Sequence, residues 1–148
     1  VSISDNLSVT GSHGIEIKAD VFFDDVDYST VDLLVLPGGM PGTVHLGEHQ
    51  GLAELLQSFS ALDRKVAAIC AAPSILGGLG ILKNKKAACY PGFEEKLEGA
   101  QVFTDPVVKD GNITTSRGVG TAISFALELI SQLEGEVKAR QIKKSIVS

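Results

Sequence analysis

The stretch "KVAAICAAPSILGGLG", residues 65–80, decides the fold. A short apolar run ends at Ile69, Cys70 and two alanines follow, and Pro73 opens a pattern of small residues at helical spacing. The run is continuous rather than alternating, which reads as a parallel strand buried on both faces. Proline suits the first helical position, where its missing N–H costs nothing. Cys70 is therefore expected in the turn between a buried strand and a helix, an arrangement like the nucleophile elbow of hydrolases with sulfur in place of oxygen. Unpaired amides and the helix dipole at such a turn stabilise a thiolate, making a nucleophile or an oxidation-sensitive sulfur. Ala71, Ala72, Gly77 and Gly78 leave room for the bend and for a substrate. The alternative reading is a small buried hydrophobe, a common role for free cysteine.

Working outward, "VDLLVLPGG" (residues 31–39) is a second continuous apolar run, again expected to be a strand buried on both faces. In a parallel sheet its "LPGG" end lies beside the elbow and offers the Gly39 N–H to an oxyanion. Between the two strands, Leu52, Leu55, Leu56, Phe59 and Leu62 form one apolar helical stripe. Upstream, "VSIS" reads as the end of a strand, and residues 7–23 as short extended pieces. Downstream, "PSILGGLGIL" reads as a helix, "KAACYPG" as a third strand, "FEEKLEG" as a short helix and "AQVF" as a brief strand. "PVVKDGNITTS" reads as a hairpin turning at Asp110 and Gly111. Ala122, Phe125, Ala126, Leu129, Ile130 and Leu133 mark a core-facing helix that pauses at Gly135, and a last helix runs from Glu136 to about Val147. Strands alternating with helices imply a mostly parallel sheet covered on both sides, with chemistry at the strand carboxyl ends.

With 148 residues, 44% of them hydrophobic, the chain fits a single domain over residues 1–148. A net charge of −5 and scattered basic residues argue against a nucleic-acid partner. No apolar stretch approaches the roughly 18 residues of a membrane span, and no leader resembles a signal peptide, so a cytoplasmic protein without a membrane partner is expected. Two cysteines make a poor disulfide framework, and both are read as thiols.

The segments "DLLVLPGGMPG", "AAICAAPSILGGLGIL", "YPGFEEKL" and "ITTSRGVGTAISFALELI", in this order and spacing, resemble the ThiJ/PfpI superfamily, specifically its DJ-1 branch. The resemblance covers essentially the whole chain. It implies an α/β fold, a flavodoxin-like three-layer sandwich related to class I glutamine amidotransferases, and a homodimer. It also implies a nucleophile at Cys70, an oxyanion site from the Gly39 and Ala71 amides, and no cofactor or metal. Gly38, Pro73 and Gly118 would line the pocket, Tyr90 would donate a hydrogen bond where relatives carry histidine, and His13 would lie near the pocket and dimer edge. For His13 the alternative is a loop histidine in water. Ala71 stands where the protease-like branch has histidine, which disfavours a Cys-His peptidase dyad.

The activities implied are conversion of methylglyoxal to lactate, deglycation of glyoxal adducts, or a non-enzymatic redox-sensor or chaperone role through oxidation of Cys70. The branch carries a first strand and helix with a "GxEExE"-like motif whose last Glu hydrogen-bonds the cysteine and moves the proton. That motif does not occur among these residues, and the expectation is that a first strand and helix are missing. Addition to an aldehyde would then proceed and turnover would fail.

Weaker signals are "HLGEH" (residues 45–49), an inverted zinc-protease spelling that reads better as a solvated helix entrance beginning near Glu48, and Cys89, either a buried strand residue or a resolving thiol. "RGVG" (residues 117–120) lacks the third glycine of a dinucleotide fingerprint and reads as a turn against the pocket.

Overall fold

The computed structural model describes residues 1–148. Its centre is a four-stranded sheet of β3 (Leu33–Leu36), β4 (Lys65–Ile69), β7 (Val107–Asp110) and β8 (Ile113–Ser116), in the order β3-β4-β8-β7. A small hairpin, β1 (Ser8–Thr10) with β2 (Glu16–Lys18), precedes it, and a short parallel pair, β5 (Lys86–Ala87) with β6 (Gln101–Val102), lies between β4 and β7 in sequence. The strands β3, β4 and β8 are mutually parallel, and β7 returns antiparallel to β8. Five helices complete the chain: α1 (Gly42–Glu48), α2 (Gln50–Ala61), α3 (Pro73–Gly78), α4 (Ala122–Glu134) and α5 (Glu136–Ser145).

Alternation along β4 builds three layers. Val66 and Ala68 join a core with Leu52, Leu56 and Phe59 of α2 and Leu76 of α3, whereas Ala67 packs with Phe125 and Leu129 of α4 on the opposite face. All three β4 residues are fully buried, as a central strand covered by helices requires. This is the flavodoxin-like α/β sandwich with a mostly parallel sheet.

Several local expectations need correction. β3 is not buried on both faces: it forms one edge of the four-stranded sheet, and Val35 is 46% exposed. The helix expected to begin near Glu48 is α2, from Gln50, but a further short helix, α1, precedes it from Gly42, where the Gly39 carbonyl accepts from both the N–H and the hydroxyl of Thr43 at 2.9 Å. His49 then breaks the helix, and its Nδ1 accepts the Leu52 N–H at 3.0 Å to cap α2. His45 and His49 therefore do not share one helix. Leu62 caps the end of α2 and is exposed, as are Ala126 and Leu133 on the outer side of α4. α3 stops at Gly78, well short of Leu82, and the "KAACYPG" strand shrinks to Lys86–Ala87. The short helix expected in "FEEKLEG" is a single 3-10 turn over residues 94–96. Pro73 is the first residue of α3, and Gly135, at φ +87°, separates α4 from α5, both as the sequence reads.

Candidate active site

Cys70 follows the last residue of β4 and lies three residues before α3. Its φ is +67°, in the left-handed region that a side chain adopts only at a cost of roughly 1–2 kcal/mol. Two bonds hold it there: its N–H donates to the Ser116 carbonyl at 3.0 Å, and its carbonyl accepts from the Tyr90 N–H at 2.8 Å. The strand end, the end of β8 and the loop after β5 thus meet at one residue. Cys70 itself is half-buried.

Gly38 makes this geometry feasible. A Cβ there would lie 2.5 Å from Cys70 Cβ, 2.8 Å from the Ile69 carbonyl oxygen and 3.2 Å from Cys70 Sγ. Only a hydrogen fits between the two strand ends. Gly39 follows at φ +93°, a conformation natural to glycine, so the chain turns over beside the sulfur and enters α1.

The supply of free amides is narrower than the sequence suggests. At the start of α3 the Ala72 N–H donates to Ile69, that of Ser74 to Ala71 and that of Ile75 to Ala72, and Pro73 has none. Ala71 alone keeps an N–H without an acceptor in the protein, and Gly39 across the gap keeps another. Ala71, next to Cys70 in sequence, and Gly39, next to the Gly38 that touches Cys70, thus each keep a donor of the kind an oxyanion would need.

Tyr90 reaches the elbow through its backbone; its ring packs over Gly118, where an added Cβ would lie 3.3 Å from Cδ2, and it is 50% exposed. Pro73 is fully buried beneath the turn. His13 is exposed in the β1–β2 turn, where Nδ1 and Ser12 Oγ hydrogen-bond at 3.2 Å. A cavity of about 380 Å³ lined by Ser2, Phe22, Phe23, Asp24 and His49, among others, shares no residue with the elbow.

Cys89 is a different thiol. It is 3% exposed within the main core. Burial pushes its pKa up to about 11, and the carboxylate of Glu94 and the sulfur of Cys70 add to the rise against the pull of Arg117 and a backbone bond from Phe93. It is protonated and inert where a nucleophile is needed.

Sequence reasoning missed the left-handed φ of Cys70 and the carbonyl of Ser116 that fixes it, and it read Arg117 only as part of a turn against the pocket. Strand register was the available signal: Ile69 pairs with Ser116, so whatever follows Ser116 must stand beside Cys70.

Comparison with known proteins agrees with this architecture. The model of the DJ-1/PfpI family matches residues 1–132. Protein DJ-1 homolog B of Arabidopsis thaliana is 38% identical over 148 residues, covering 99% of this chain and 34% of the relative, so the chain spans about a third of that protein. The glutathione-independent glyoxalase DJR-1.2 of Caenorhabditis elegans is 34% identical, covering 90% of this chain and 72% of the relative. The deglycase PfpI of Pyrococcus furiosus is 35% identical, covering 85% of this chain and 76% of the relative. Among solved structures, oxidised Toxoplasma gondii DJ-1 superposes with a TM-score of 0.92 at 33% identity, covering 98% of this chain and 79% of that one. With an elbow cysteine, a glycine-lined strand end and this likeness along nearly its whole length, the chain belongs to the DJ-1/PfpI family.

Proposed function

We propose that Cys70 is a nucleophile toward small reactive aldehydes, converting methylglyoxal to lactate or removing glyoxal adducts. The observation that carries this reading is a half-buried thiol at a strained turn, flanked by the unpaired N–H groups of Gly39 and Ala71. The names of the nematode glyoxalase and the archaeal deglycase support the same class of chemistry.

In the first step the thiolate pair forms a C–S bond to the aldehyde carbon, and the carbonyl π pair moves to oxygen, where the two amides hold it. Protonation gives a hemithioacetal. Loss of the hydrogen on that carbon as a proton gives an enediolate; its return to the neighbouring carbon, with the hydroxyl proton passing to the former ketone oxygen, leaves a thioester that water cleaves to a hydroxy acid and free thiol. The proton transfer needs a carboxylate, which the family resemblance places in a motif not found among these residues. Adduct formation is the step this chain's own residues support. A homodimer belongs to the same proposal, supported by the exposed Val9, Ile15 and Ile17 of the β1–β2 hairpin.

A second reading rests on the oxidised Toxoplasma relative and on the partial exposure of Cys70: a redox sensor in which peroxide converts the thiolate to sulfenic and then sulfinic acid. Intact-mass measurement separates the two. The aldehyde reading expects wild-type protein to gain the mass of one methylglyoxal at Cys70 and the Cys70→Ser variant to gain none. If both behave alike toward methylglyoxal while peroxide adds two oxygens at Cys70, the sensor reading replaces it.

A further inference from the structure

We propose that Arg117 is an anion anchor at the lip of the Cys70 site, so that the preferred electrophile is a small aldehyde carrying a carboxylate rather than a neutral one. The inference rests on the reading of Cys70 as nucleophile and deepens it to a substrate class.

Position comes first. Ile69 pairs with Ser116, and the Cys70 N–H donates to the Ser116 carbonyl, so Arg117 leaves the sheet directly beside the elbow. Its backbone is fixed on both sides. Ser116 Oγ bonds the Pro106 carbonyl and Thr121 Oγ1, each at 2.7 Å, and the Gly118 N–H donates to Thr121 Oγ1 at 3.1 Å. Gly118 in turn lies under the Tyr90 ring, and the Tyr90 N–H bonds Cys70.

The guanidinium itself is unspent. The two ion pairs of the molecule, Lys109 with Glu128 and Arg140 with Glu136, lie elsewhere. Arg117 is half-buried, and its sole hydrogen bond is from Nη1 to the Thr104 carbonyl at 3.5 Å, at the outer limit of such a bond. Five N–H donors in a planar fork are thus nearly all unused, and that fork matches a carboxylate. Glu94, the carboxylate that also acts on Cys89, makes no ion pair with Arg117; its Oε2 accepts the Gly92 N–H at 2.7 Å. The positive charge of Arg117 works against the rise of the Cys89 pKa, one residue before the Tyr90 N–H that bonds Cys70. A half-buried arginine with no protein counter-ion, on the residue whose backbone leaves the sheet beside the nucleophile, favours a negatively charged substrate tail.

Matched alkylating reagents test this without any turnover. Iodoacetate and iodoacetamide displace iodide with the same thiolate attack and differ in the charge of the tail. The ratio of their rates at Cys70, read by peptide mass, is expected to fall about fivefold in Arg117→Gln, the size of a half-exposed ion pair, and to recover in Arg117→Lys. Wild-type protein supplies an independent arm. The chain carries a net charge of −5, so a general field repels iodoacetate and added salt would speed it; a local anchor makes salt slow it. A ratio unchanged by Arg117→Gln, or iodoacetate accelerated by salt in the wild type, overturns the anchor and leaves the nucleophile intact. A Cys70 that reacts with neither reagent overturns both.

Discussion

Gly38 and Cys70 stand so close that a Cβ on Gly38 would come within 2.5 Å of Cys70 Cβ. The contact belongs to the ends of adjacent parallel strands and sets where the sulfur can sit. Gly38→Ala is expected to cost on the order of 2 kcal/mol in urea unfolding, because the second obstacle, the Ile69 carbonyl at 2.8 Å, is backbone and cannot rotate away. The same variant should lower the iodoacetamide rate at Cys70. Wild-type stability and rate would show that the strand ends can separate.

The left-handed φ of +67° at Cys70 makes a second prediction. Cys70→Gly removes the steric cost that Cys70→Ala retains, and should be the more stable variant by about 1 kcal/mol in guanidinium unfolding. An alanine variant equal to or better than glycine would mean that the residue is unstrained.

Cys89 couples stability to alkaline pH. The unfolded thiol loses its proton near 9.0 and the folded one near about 11, so within that window the folded state holds more protons and stability declines as pH rises. The contribution is whole below the lower value and lost above the higher. Wild type should therefore lose roughly 2 kcal/mol more than Cys89→Ala between those pH values. Parallel pH profiles for the two proteins would contradict the assignment.

α3 docks through Gly77, where a Cβ would lie 2.1 Å from the Lys96 carbonyl oxygen and 2.8 Å from Leu97 Cα. Both obstacles are backbone. Gly77→Ala should cost about 3 kcal/mol in unfolding measurements, whereas Gly78→Ala, with open space around the added methyl, should be neutral or slightly stabilising.

The frame was legible in the sequence where periodicity and punctuation agreed. The run before Cys70, Pro73 at the first turn of α3 and Gly135 between the last two helices each stand where the pattern places them. It misled where burial depends on neighbours. Val35 has the composition of an interior strand residue yet lies exposed on the edge strand β3, and Leu133 fits an apolar stripe yet faces out from α4. Nothing local tells a chain what will cover it. At the site, Cys70, Gly38 and Gly39 could be found from strand-end motifs, because glycine and a bend advertise themselves. The "RGVG" turn reads as lying against the pocket, but the place of Arg117 next to Cys70 follows only from the β4–β8 register, a pairing between segments far apart in sequence.

Competition labelling tests the central claim most directly. Wild-type protein is treated with iodoacetamide at neutral pH, with and without methylglyoxal, and the modified peptides are mapped by mass. Label on Cys70 and not on Cys89, slowed by methylglyoxal, is the result expected from an accessible sulfur at a donor-lined elbow beside a buried, protonated one. Label spread equally over both cysteines, or a Cys70 that methylglyoxal does not protect, would contradict it.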